Sequence, residues 1–167
     1  MSYQEHRKQA PRSVNCAVVT ISDSRSEADD ESGQLIKNKF GQSGHQVVFY
    51  ALLKNDAAAI KKTFAELLVQ DDLQVILTTG GTGASQRDIT IETVYPMMEK
   101  HLDGFGELFR SLSYREIGTA SILSRSIAGV VQGKITICLP GSLGAVTTAM
   151  DKIIVPEIGH MVREASR

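Results

Sequence analysis

From Val14 to Ile21 the chain reads VNCAVVTI, a continuous β-branched run too apolar to leave one face wet. A strand of that kind must be covered on both sides, so helices have to lie on both faces of whatever sheet it joins. The rest of the sequence supplies the layers. Gln46 to Leu53 predicts a second strand and Leu73, Val75, Ile76 and Leu77 a buried third. Ile122 to Val131 and Lys134 to Leu139 read as two more, joined through Gln132-Gly133 as a tight hairpin.

Helical spacing fills the gaps. Leu35, Ile36 and Phe40 follow an acidic stretch, Glu27 to Glu31, suited to the positive end of a helix, and stop at Gly41 and Gly44. Ile60, Phe64, Leu67 and Leu68 follow Asp56, which reads as their N-cap. A short helix is expected from Ile89, ended or kinked at Pro96. Gly104-Phe105-Gly106 interrupts before Leu108, Phe109, Leu112 and Ile117, and Pro156 interrupts the helix of Val146, Ala149, Ile153 and Ile154 before Ile158, Met161 and Val162. This alternation predicts an α/β fold, a three-layer α/β/α sandwich with a mostly parallel mixed sheet and at least one antiparallel pair. A length of 167 residues suits one domain, expected over residues 14–167 behind a solvated tail at 1–13.

Composition removes several functions. No apolar stretch approaches the roughly 20 residues of a membrane span, and the opening MSYQEHRKQAPR is polar where a signal peptide is apolar, so a cytoplasmic protein without a membrane partner is expected. A formal net charge of −1 gives no overall pull toward nucleic acid. Cys16 and Cys138 sit in apolar runs and read as buried hydrophobes. His6, His45, His101 and His160 are scattered and expected at the surface, so neither a histidine metal cluster nor Ser-His-Asp chemistry is suggested.

The chemistry concentrates in TTGGTG, Thr78 to Gly83. Three glycines free the backbone for positive φ and close approach, so amides can converge on an anion while threonine hydroxyls add donors. Taken alone, the cluster reads equally as a plain glycine-rich turn. It is neither a P-loop, since Ala84 and Ser85 follow Gly83, nor a Rossmann fingerprint, since Gln86 stands where the third glycine belongs. Ser22 to Ser24 and Pro140 to Gly144 also end strands on polar or glycine-rich turns. If these strands are parallel neighbours, all three turns open on one edge, where α/β sheets bind ligands. A polyphosphate or phosphorylated ligand is the favoured reading, with Asp56 and Asp88 as carboxylates for a magnesium-bound phosphate chain. Each aspartate could instead cap a helix.

TTGGTG followed by RDIT (Arg87 to Thr90), GFGELFR (Gly104 to Arg110), LSR (Leu123 to Arg125) and LPGS (Leu139 to Ser142), after a TISDSR start, resembles the molybdenum cofactor biosynthesis family of MoaB and MogA. The EADDESG and EIGTASILSR stretches resemble the MoaB branch. The resemblance implies a molybdopterin-binding domain assembling as a trimer or hexamer. It implies an adenylyltransferase that moves AMP from magnesium ATP onto the pterin's phosphate and releases pyrophosphate, upstream of a molybdenum-insertion partner. A non-catalytic molybdopterin carrier is the alternative. By the same resemblance Thr78, Thr79, Gly80, Gly81, Thr82 and Gly83 form the phosphate loop, with Ser22, Asp23, Ser24, Gly141 and Ser142 completing the pocket. Asp88 and Asp56 are the catalytic acids and magnesium ligands, and Glu107 has a substrate-side role. The chain departs from the family's pattern at Ile91 and at Asn55-Asp56-Ala57.

Overall fold

Strand β1 (Asn15–Ile21) divides its side chains between two covered faces, with Cys16 and Val18 entering one core and Ala17, Val19 and Ile21 the other, all of them buried. The protein is seen here in a computed structural model that describes residues 9–167. Most of the tail expected at residues 1–13, with His6, therefore lies outside the described residues. At its near end, Arg163 Nη2 donates to Gln9 Oε1 at 2.6 Å, and a Cβ on Gly159 would come 2.5 Å from Pro11 O. This stretch lies against the C-terminal helix.

The remaining strands are β2 (Gln46–Leu53), β3 (Val75–Thr79), β4 (Lys100–His101), β5 (Ile127–Val131) and β6 (Lys134–Leu139). They form one six-stranded sheet in the order β2-β1-β3-β6-β5-β4. The first four run parallel, while β5 and β4 are antiparallel to their neighbours. The helices are α1 (Glu31–Gln42), α2 (Ala57–Leu68), α3 (Thr90–Val94), α4 (Asp103–Ile117), α5 (Leu143–Ala149) and α6 (Val155–Ala165). Ile36, Phe40, Phe109, Val146 and Ile158 bring α1, α4, α5 and α6 onto one face. Ile60, Phe64, Leu67, Ile91 and Val94 bring α2 and α3 onto the other. The architecture is the expected three-layer α/β sandwich on a mixed, mostly parallel sheet. No helix among the described residues is long and apolar enough to cross a membrane.

Gln132-Gly133 makes the β5–β6 hairpin with positive φ at both residues, 48° and 75°, as a two-residue turn requires. Lys134 is buried at its β6 end, and its Nζ donates to Gln70 O and Leu73 O, each at 2.7 Å. The charge thereby satisfies carbonyls of the α2–β3 connection.

Several expectations need correction. Gly104 and Gly106 interrupt nothing and lie inside α4, which begins at Asp103. A Cβ at Gly106 would come 3.0 Å from Ser126 O, so the residue gives the helix a close approach to the chain entering β5. The strand expected from Ile122 starts only at Ile127, because Gly118–Leu123 forms a short 3-10 turn that leaves Ile122 and Leu123 exposed. Pro156 does not break the last helix. Met150–Ile154 widens into a π turn, and the proline takes an early position of α6, where its missing N–H costs little. Two histidines are not surface residues: His45 is buried, and His160 is half-buried against Glu157.

Candidate functional site

Because β1, β3 and β6 are adjacent and parallel, their carboxyl ends emerge together, and the loops that follow surround a cavity of about 640 Å³. The first loop lends Ser22, Asp23 and Ser24 to its wall, the second Thr79, Gly80, Gly81, Thr82, Gly83 and Asp88, the third Gly141 and Ser142.

Gly80 and Gly81 turn the chain with φ of +94° and +63°. Only glycine fits, since a Cβ at Gly80 would meet Ile21 O and one at Gly81 would come 2.5 Å from Asn55 Oδ1. The turn's carbonyls are tied back into the protein. Thr90 Oγ1 donates to Gly80 O and Thr90 N to Gly81 O, both at 2.9 Å, and Arg125 Nη1 donates to Gly83 O at 2.8 Å. No hydrogen bond within the described residues takes up the amides of Gly81, Thr82 or Gly83. A turn with three carbonyls engaged and three successive amides uncommitted is suited to an anion. Ser142 caps α5, its Oγ accepting from Ala145 N at 3.3 Å.

The two proposed acids part company. Asp88 lines the cavity and does not cap α3. It accepts from Ser85 N at 3.1 Å and Ser85 Oγ at 2.6 Å, and its Oδ2 fills the space that a Cβ on Gly83 would occupy. Asp56 is outside the lining and caps α2, accepting from Ala59 N at 2.8 Å. Its neighbour Asn55 reaches the cavity instead, with Oδ1 buried and without a hydrogen-bond partner. Thr78 also falls outside the lining: it is fully buried within β3, opposite Cys138. Glu107 is brought to a separate cavity of about 160 Å³, beside Tyr95 and Arg110. The Cys16 and Cys138 thiols are each pushed up to about 12 by burial, so neither serves as a nucleophile.

Sequence reading placed Asp23 in the pocket but missed the arginines around the rim. Asp23 Oδ1 accepts from Asn55 N at 2.9 Å. That bond chiefly holds the carboxyl below its usual range, with attraction from Arg87 and Lys54 added. Arg25 and Arg87 line the cavity, and Arg125 reaches the glycine turn while pairing with Glu92. Arg87 and Arg125 stand in the RDIT and LSR blocks and Arg25 in TISDSR, so position within the blocks was the available signal. For magnesium, hard oxygen donors are the right chemistry, and Asp88 and Asp23 supply them from the wall.

Comparison with known proteins gives a concordant result. A family profile described as a probable molybdopterin binding domain matches residues 17–160. Molybdenum cofactor biosynthesis protein B of Bacillus cereus is 46% identical over 168 residues, covering 100% of this chain and 99% of that protein. A crystal structure of molybdenum cofactor biosynthesis protein B superposes with a TM-score of 0.89 at 46% identity, covering 94% of this chain and 98% of the other. The tungsten cofactor synthesizing protein MoaB from Pyrococcus furiosus gives a TM-score of 0.86 at 36% identity, over 95% and 100% of the two chains.

Proposed function

We propose, from the premise that this chain belongs to the MoaB/MogA family of molybdenum cofactor biosynthesis proteins with a molybdopterin-binding domain, that its cavity binds molybdopterin and adenylylates the pterin's phosphate. One observation carries the reading: the Gly80–Gly83 turn, with the amides of Gly81, Thr82 and Gly83 uncommitted, shares a single cavity with Gly141 and Ser142 and has the Asp88 carboxylate in its wall. An oxygen of the pterin phosphate attacks the α-phosphorus of ATP. The bond from that phosphorus to the α,β-bridging oxygen breaks, and pyrophosphate leaves with the electron pair.

Phosphoryl and nucleotidyl transfer depend on positioning and on neutralising charge. The glycine-turn amides orient phosphate oxygens, and Arg25 and Arg87 offset negative charge at the rim. Magnesium, when bound, supplies further charge neutralisation, and Asp88 and Asp23 are the carboxylates that would hold it. Asp56, one residue past Asn55, holds the first turn of α2 and lies outside the cavity wall. Assembly as a homo-oligomer, trimer or hexamer, belongs to the same proposal and is supported by the exposed Ile122 and by Leu123, which also lines the cavity.

A molybdopterin carrier without chemistry is the second reading, favoured by one observation: Asp56 is engaged as a cap, leaving one carboxylate fewer in the wall. Mixing the protein with molybdopterin and magnesium ATP separates the two. Pyrophosphate release supports the adenylyltransferase, and pterin binding without release leaves the carrier.

A further inference from the structure

Beneath the cavity, outside its lining, lies a carboxylate with no exposed surface. Asp30 caps α1, with Oδ1 accepting from Gly33 N at 2.9 Å, while Oδ2 accepts from Thr20 Oγ1 at 2.6 Å and Tyr50 Oη at 2.7 Å. Thr20 and Tyr50 belong to neighbouring strands, so the charge binds the end of β1 and the middle of β2 to the start of α1. The fourth partner is Arg25, whose guanidinium stands 3.7 Å from Oδ1. A buried carboxylate is tolerated only when so fully partnered. An N-cap alone needs just one of these bonds.

The contacts continue from Arg25 to the third loop. Its Nη1 donates to Ser32 Oγ at 3.1 Å and its Nη2 to Gly141 O at 3.3 Å, while Ser32 Oγ donates to the same carbonyl at 2.8 Å. Two donors fastened around Asp30 therefore grip Gly141 O. In a trans peptide the C=O and the next N–H point in opposite directions, so gripping this oxygen fixes the direction of the Ser142 amide. Ser142 lines the cavity, and no hydrogen bond within the described residues uses its amide.

We infer that Asp30 is a positioning residue for the phosphate site: through Arg25 and Ser32 it locks the Gly141–Ser142 peptide so that the Ser142 N–H is presented as a fixed donor. The inference rests on the reading of the cavity as a phosphate site and adds to it that Arg25 serves first as a clamp on Gly141.

The test is titration of the full-length chain with molybdopterin, at a temperature where each protein is folded by circular dichroism. The variants are Ser32→Ala, Arg25→Lys, Asp30→Asn and the Asp30→Asn/Ser32→Ala pair. Ser32→Ala removes one donor and Arg25→Lys removes the two-pronged reach, and each is expected to weaken binding by about tenfold. Asp30→Asn is expected to weaken it as much, and the pair by less than the product of the single effects, because both act through one carbonyl. A merely structural Asp30 would lower melting temperature and leave no such coupling. If Asp30→Asn fails to fold, Ser32→Ala and Arg25→Lys still decide, and wild-type affinity in both overturns the inference. Multiplicative effects in the pair overturn it as well. Failure of the wild-type protein to bind molybdopterin would instead remove the reading of the cavity on which the inference stands, a result visible before any variant is made.

Discussion

A Cβ added to Gly141 would sit 3.2 Å from the Cα of Gly80, so the loops that follow β6 and β3 meet through two glycines. Segments some sixty residues apart in sequence are thereby held at van der Waals distance, with Gly80 N donating to Leu139 O at 2.9 Å just beneath. The contact makes one cavity of two turns. A side-chain atom added at either glycine would press the walls apart.

The two glycines should fail differently. At Gly141 φ is not in the left-handed region and the clash is shallow, so Gly141→Ala is expected to fold, lose on the order of 1 kcal/mol and bind molybdopterin at least tenfold more weakly. At Gly80, φ is +94° and a Cβ would run into Ile21 O, so Gly80→Ala is expected to lose about 3 kcal/mol or more. Urea unfolding alongside a binding titration checks both, and equal stability of the two variants would contradict the packing.

Asp88 and Asp56 are separable by charge and by cap. Asp88→Asn keeps the size of the side chain and removes its charge, and pyrophosphate release is expected to fall by about 100-fold or more with molybdopterin affinity nearly kept. Asp56→Ser retains a capping oxygen and Asp56→Ala does not, so only the alanine variant is expected to lose about 1 kcal/mol. Turnover in Asp56→Ser should drop by less than about tenfold, since only a charge outside the cavity wall is lost. A drop matching Asp88→Asn would place Asp56 in the reaction itself.

The layers were legible because β1 and β2 carry their own punctuation: apolar runs closed by Ser22-Asp23-Ser24 and by Asn55-Asp56. Periodicity could not separate Ile122 and Leu123, apolar but exposed in a 3-10 turn, from the strand that starts four residues later at Ile127. Nor could it show that Phe105 and Phe109 bury one face of α4 firmly enough to carry Gly104 and Gly106 within the helix. At the site, the glycine turn alone was ambiguous, and it became readable because Ser22 to Ser24 and Pro140 to Gly144 end strands on similar turns that would open on the same edge. Asp56 was readable as a cap, and its bond from Ala59 N agrees, but a cap and a metal ligand need the same residue type at the same place, so spacing could not choose between the two roles. The Asp30 clamp was hidden for a different reason: its partners Thr20, Tyr50 and Arg25 come together only when β1, β2 and α1 are assembled.

Thr78 offers a control within the motif. Its hydroxyl is buried without an ordinary hydrogen bond, contact with the Cys138 thiol being a weak substitute. Replacing a poorly satisfied buried hydroxyl by a methyl of the same shape is neutral or stabilising. Thr78→Val is therefore expected to keep molybdopterin affinity and to gain up to about 1 kcal/mol in urea unfolding. Loss of affinity would mean that the threonine's hydroxyl, and not its β-strand packing, accounts for its place in TTGGTG.

Acid stability should report His45. Burial holds the ring's pKa below its ordinary value of about 6.5, and Val14 N donates to Nδ1 at 3.3 Å, which requires that nitrogen to be unprotonated. Above about pH 6.5 neither the folded nor the unfolded chain holds a proton there, and the residue contributes no pH dependence. Below that value the unfolded chain binds a proton that the folded one refuses, so stability falls with pH, by at most about 1.4 kcal/mol per unit for one group, until the folded pKa is reached. Asp23, whose pKa is also depressed, acts in a separate window below the usual carboxylate value of about 3.9. Urea midpoints measured between about pH 7.5 and 5 should therefore decline for the wild type and decline less for His45→Gln, which has no charge to gain. Parallel curves for the two proteins would show that the ring is protonated in the folded state and that its bond from Val14 is dispensable.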